Sequence, residues 1–163
     1  MASHGSSRPL AMLGSVLVAL LLTMMPLPGT IESFRPDWIA LVLIFWTMTL
    51  PRSYSVGAAW AVGLILDVAQ GTLLGQHALA LVAIVYVTSR FHLLMRVFPM
   101  SQLTLTVLAL LALYQFLLFW INGVAGVDAR AASYWGPVLS GTLLWPLLAG
   151  MLASSGRRRP TRA

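Results

Sequence analysis

Cysteine and lysine are absent from this chain, and carboxylates are nearly so. Without cysteine there is no disulfide framework, no thiol nucleophile and no thiolate metal site. Only 9% of the 163 residues are charged, against about 25% in an ordinary soluble domain. That is too little polar surface to coat a globule in water, so a water-soluble enzyme or binding domain is excluded. The four acids are Glu32, Asp37, Asp67 and Asp128. An enzyme acting on a lipid-linked substrate ordinarily needs a carboxylate pair, a metal site or an organised basic cluster. Three of these acids fall in polar loops, and Asp67 has no acid or base partner near it in sequence. Gly-x-Ser-x-Gly, Walker and His-Glu-x-x-His patterns are missing as well. His4, His77 and His92 are scattered, with no carboxylate at ligand spacing, and read as interfacial or structural. The expectation is a protein that is not an enzyme, with no catalytic residue, no metal and no cofactor.

What the chain does have is apolar length, since 59% of its residues are hydrophobic. Long unbroken apolar runs point to helices, because spanning strands would alternate instead. The fold class is therefore all-α integral membrane, built as a six-helix transmembrane bundle. Residues 1–156 form a single six-span domain, with spans at about 10–26, 37–50, 53–69, 75–90, 101–122 and 134–153. Residues 157–163 are a basic cytoplasmic tail. The first run also fits a signal peptide, but it is long for one and no small-x-small cleavage site follows. The second and third runs are each only about 20 Å of helix, against about 30 Å of hydrocarbon. They are either a hairpin turned at Pro51-Arg52-Ser53 or one long span broken at proline. Arg52 inside a single span would be costly, which favours the hairpin. Arg90 to Arg96 is basic and amphipathic and reads as a surface segment. Pro146 should kink the last span.

The formal charge is +6, all of it from arginine. The excess reads as membrane topology rather than nucleic-acid binding. With six spans, Arg8, Arg52, Arg90, Arg96, Arg157, Arg158, Arg159 and Arg162 share one side. Arg35, Arg130 and the four acids share the other. The positive-inside rule then puts both termini in the cytoplasm. Arg157, Arg158 and Arg159 serve topology or face lipid headgroups. The six tryptophans read as interfacial anchors and core packing rather than a stacking surface for a ligand.

One stretch stands out. Gly63, Asp67, Gly71 and Gly75 recur every four residues, which puts them on one stripe if a single helix carries them all. Such a stripe admits another helix closely and would be a helix-packing or partner contact. The other reading ends the helix just past Asp67, with Gly71 and Gly75 making the turn. Both readings stand at this stage. Gln115 and Asn122 are further candidates for interhelical hydrogen bonds.

Ordered landmarks then run along the whole chain. They are Phe34-Arg35-Pro36-Asp37-Trp38, Trp46 with Pro51, the Gly63–Gly75 stretch, Gln76-His77-Ala78-Leu79-Ala80, Trp120 and Trp145-Pro146. In order and spacing the chain resembles the MreD family, most closely its proteobacterial members. The resemblance implies a non-catalytic subunit of the bacterial elongation (rod) complex in the inner membrane. It implies MreC, RodA, a class B penicillin-binding transpeptidase and the MreB filament as partners, in lateral peptidoglycan synthesis and rod shape. It also implies a fold like the six-helix substrate-binding components of energy-coupling-factor transporters. That likeness raises the rival reading, a small-ligand-binding or transport component with a polar-lined cavity. Arg96 and Phe98-Pro99 sit where members vary, so no role transfers to them.

Overall fold

The computed structural model describes residues 7–50, 56–127 and 131–155. The predicted turn at Pro51-Arg52-Ser53, the loop charges Asp128 and Arg130, and the tail with Arg157, Arg158 and Arg159 lie outside the described residues. Among those described, all regular structure is helical: α1 (Ser7–Met24), a four-residue turn α2 (Gly29–Glu32), α3 (Trp38–Thr49), α4 (Val56–Gln70), α5 (Gln76–Val97), α6 (Met100–Val124) and α7 (Ala131–Ser155). Three of these, Gln76–Val97, Met100–Val124 and Trp135–Ser154, are long and apolar enough to cross a membrane. Leu10–Met24, Trp38–Thr49 and Val56–Gln70 are shorter apolar helices.

The short α3 is the axis of the bundle. Every residue from Ile39 to Met48 is buried, as expected of a helix that is apolar all round. It packs on α1, α5, α6 and α7, while α4 packs on α5 and α6 on α7. Its 12 residues make only about 18 Å of helix. Both of its ends are closed by other elements. At its start, Asp37 accepts a hydrogen bond from Gln115 Nε2 of α6. At its end, Arg96 of α5 donates to the carbonyls of Met48 and Thr49, where a cation complements the helix dipole. The Arg35 guanidinium closes α1 in the same way, on the carbonyls of Thr23 and Met25. Trp46 Nε1 donates to Ser15 Oγ at 2.8 Å, tying α3 to α1.

The predicted surface segment Arg90–Arg96 is the last part of one continuous helix, α5, rather than a separate element. The α7 helix runs unbroken through Pro137 and Pro146, and Trp145 beside the second proline is wholly buried. Trp46 is also core, whereas Trp60, Trp120 and Trp135 are exposed. The outer faces carry large apolar side chains such as Val97, Leu143 and Leu74, each at least 70% exposed. Such a surface suits lipid and not water.

Candidate functional site

The α4 helix ends in a glycine turn. The N–H of Thr72 donates to the carbonyl of Asp67 at 3.0 Å, and that of Gly71 to Val68 at 3.3 Å. This pair of bonds is the Schellman motif, whose central residue must be left-handed. Gly71 supplies that conformation with φ +64°, and Gly75 has φ +98° at the entrance to α5. The single-helix stripe is therefore corrected. Gly71 and Gly75 make the turn, and only Gly63 lies within the helix. Gly63 does serve close packing. A Cβ there would sit 2.6 Å from the backbone nitrogen of Ala78 on α5, so α4 and α5 meet backbone to backbone.

The turn folds Asp67 onto the start of α5. The first N–H groups of a helix have no partner within it, and Gly75 at the cap has no side chain to offer. Asp67 fills that role from the neighbouring helix. Its Oδ2 accepts from the Gly75 N–H at 2.8 Å. Its Oδ1 accepts from the His77 N–H at 2.9 Å and pairs with His77 Nδ1 at 2.8 Å. The Thr72 hydroxyl adds a bond to Oδ1 at 3.1 Å. A carboxylate at a helix N-terminus is also favoured by the dipole. The Ala78 N–H adds a longer bond to Oδ2 at 3.5 Å, so Asp67 is 0% exposed yet held by five donors.

Asp67 thus has the base partner that its sequence surroundings did not show. The partner is ten residues away, across two glycines. The structural role expected of His77 is what it has, and the spacing that joins it to Asp67 follows from the turn alone. Thr72, His77 and Asp67 bear a superficial likeness to a nucleophile–imidazole–carboxylate triad. In such a triad the carboxylate and the nucleophile use opposite ring nitrogens. Here both lie on Nδ1, with Thr72 Oγ1 at 3.3 Å. The ring cannot relay a proton from hydroxyl to carboxylate in that arrangement. Among the described residues, no three His, Cys, Asp or Glu side chains gather as metal ligands.

A second polar group sits beside the first. A cavity of about 160 Å³ is lined by Arg35, Asp37, Gln70, His77, Tyr114 and Gln115, among others. It has room for about five waters. Gln115 was expected to make an interhelical hydrogen bond, and it makes one, to Asp37. Asp37 stands at the start of the buried helix, where the predicted span 37–50 begins, and there faces Gln115.

Family comparison covers nearly the whole chain. The family described as rod shape-determining protein MreD matches residues 6–154. The chain belongs to the MreD family. The rod shape-determining protein MreD of Haemophilus influenzae is 28% identical over 133 residues, which is 80% of each chain. No solved structure matches. Membership in the MreD family implies a rod shape-determining role, and the family's membrane character agrees with the three long apolar helices.

Proposed function

We propose that the chain is a non-catalytic membrane scaffold or regulatory subunit of the bacterial elongation complex. In this reading it holds MreC, RodA and a class B penicillin-binding transpeptidase together, with the MreB filament beneath, during lateral peptidoglycan synthesis. The observation that carries it, beside family membership, is how the polar residues are used. Asp67, Thr72, His77, Arg35 and Arg96 all bond helix ends of this same chain. Groups placed for internal capping in this way do not form a catalytic set.

The bundle lies in the inner membrane as six passes with both termini cytoplasmic. Charge distribution supports this. Arg90 and Arg96 belong to the end where α3 finishes, and Glu32, Asp37 and Asp67 belong to the opposite end. The α3 helix is short but sheathed by its neighbours, so it need not match the lipid thickness itself. The fold we assign is the six-helix bundle of energy-coupling-factor substrate-binding components, without their transport role. Partner contact falls at the Gly63–Gly75 segment, where Val68, Leu73 and Leu74 stand exposed around a rigid turn. The transport reading is weaker, because the polar cavity of about 160 Å³ is smaller than the roughly 300–1,000 Å³ of ligand pockets.

The test is co-purification of the tagged full chain from its host in mild detergent. Recovery of MreC with RodA and the transpeptidase supports the scaffold. Recovery of an ATPase pair with a coupling membrane protein overturns it in favour of transport. Reporter fusions after Arg96 and at the C-terminus should read cytoplasm, and one after Asp128 periplasm. A C-terminus outside would remove the six-pass topology.

A further inference from the structure

An apolar groove of about 530 Å³ runs between α1 and α7, over α3. Its volume lies in the range of small-molecule sites. Gly14, Val18 and Leu22 line one wall, Leu147 and Met151 the other. The groove does not stop at an apolar end. Trp38 lines it and also lines the polar cavity beside Asp37 and Gln115. Leu22 in the groove is followed on α1 by Thr23 in the cavity, so the two spaces adjoin along one seam between α1 and α3.

The cavity is lined by a guanidinium and a carboxyl group. The terminal nitrogens of Arg35 are used on α1 carbonyls, but its Nε is buried with no hydrogen-bond partner. Two residues on, Asp37 presents a carboxylate to the same cavity. A buried donor without an acceptor is costly, and Arg matches phosphate oxygen well. A free anion would leave Asp37 facing like charge. A partner's apolar helix would fill the groove but offer nothing to the cavity. A molecule with a long apolar chain, a phosphate and an ammonium satisfies all three features.

We propose that groove and cavity form one site for a zwitterionic glycerophospholipid. One acyl chain lies in the α1–α7 groove, the phosphate accepts from Arg35 Nε, and the ammonium faces Asp37. The second chain stays in the bilayer. This rests on the membrane reading of the fold and is independent of the scaffold role.

The experiment is native mass spectrometry of the full chain, delipidated in detergent and titrated with phosphatidylethanolamine or phosphatidylglycerol of identical chains. One phosphatidylethanolamine should be retained about tenfold more strongly than phosphatidylglycerol. A Cβ at Gly14 meets nothing within 4 Å, so Gly14→Leu fills the groove without disturbing the core. Displacing about two chain methylenes in this way should weaken retention about tenfold, at an unchanged melting temperature. Asp37→Asn should narrow the preference between the two lipids. Equal retention of both lipids by the unaltered chain overturns the proposal, and that measurement needs no variant. So does a Gly14→Leu chain that keeps its lipid but loses a co-purifying single-span protein, because the groove would then seat a partner helix. Loss of partners with lipid retention intact in the unaltered chain would fail the scaffold reading and leave this one standing.

Discussion

Replacing Asp67 with alanine tests the claim that this carboxylate caps α5. Truncation removes the acceptor for two close backbone donors, the N–H groups of Gly75 and His77, and for the longer bond from Ala78 at 3.5 Å. A buried donor left unmade costs about 1–3 kcal/mol, so the pair is worth about 2–6 kcal/mol. Water entering from the neighbouring cavity lowers this toward the ~2 kcal/mol of a lost N-cap. We expect Asp67→Ala to lose about 2–4 kcal/mol and Asp67→Asn, which keeps one oxygen, about half of that. The assay is denaturant or thermal unfolding of the purified chain in detergent, run as a double-mutant cycle with His77→Phe. If Asp67 served only the imidazole, its removal would cost nothing in the His77→Phe background. Capping requires that most of the cost persists there, because the backbone N–H groups remain. A loss below about 0.5 kcal/mol, within surface-substitution noise, or one that vanishes with His77→Phe, would refute the reasoning.

The glycines separate into two kinds of expected effect. Gly71→Leu should cost about 1–2 kcal/mol, the penalty for a left-handed residue with a side chain, because nothing lies within 4 Å of its Cβ. Gly71→Asn should cost less, and unfolding midpoints will rank the two. Gly63→Ala forces a methyl against the Ala78 backbone and should destabilise by at least the ~1–3 kcal/mol of overpacking. Ala78→Gly should not rescue it, since the clash is with main chain. In cells lacking the native copy, Asp67→Ala and Gly71→Leu should fail to restore rod shape. Full restoration at normal protein level would sink the partner-contact assignment at this segment.

How far the sequence revealed this follows from which signals are local. Apolar runs are local, so the predicted span at 101–122 lies inside α6 (Met100–Val124) and that at 134–153 inside α7 (Ala131–Ser155). The glycine spacing allowed a stripe or a turn, and backbone dihedral angles rather than composition separated them. Polar pairing across elements was not legible. Asp37 meets Gln115 from 78 residues away, and Arg96 meets Met48 from 48 away. No periodicity marks such partners. Arg96 also explains why α5 continues past Arg90. Its side chain has a docking point on the end of α3, so the last turn is held by tertiary contact as well as propensity.

These pairings explain how a chain so poor in charge tolerates the charges it has. The central helix is apolar throughout, and from Ile39 to Met48 its side chains bring only the Thr47 hydroxyl and the Trp46 indole N–H as polar groups. Its exposed problem is its two ends, and Asp37 and Arg96 sit there. Arg35 and Asp67 do the same for α1 and α5. Arg35, Arg96 and Asp67 therefore each bond a helix terminus that would otherwise leave backbone groups unpaired inside an apolar bundle, whereas the Asp37 carboxylate bonds the Gln115 side chain. Removing any of these three exposes backbone, not a substrate pocket, which is why mutation should be read first through stability. Arg35 Nε breaks the pattern, because it is buried without a partner. Beside Arg96 and Asp67, which are spent on helix ends, that nitrogen is a charged group's donor with a bond still to gain from an outside acceptor.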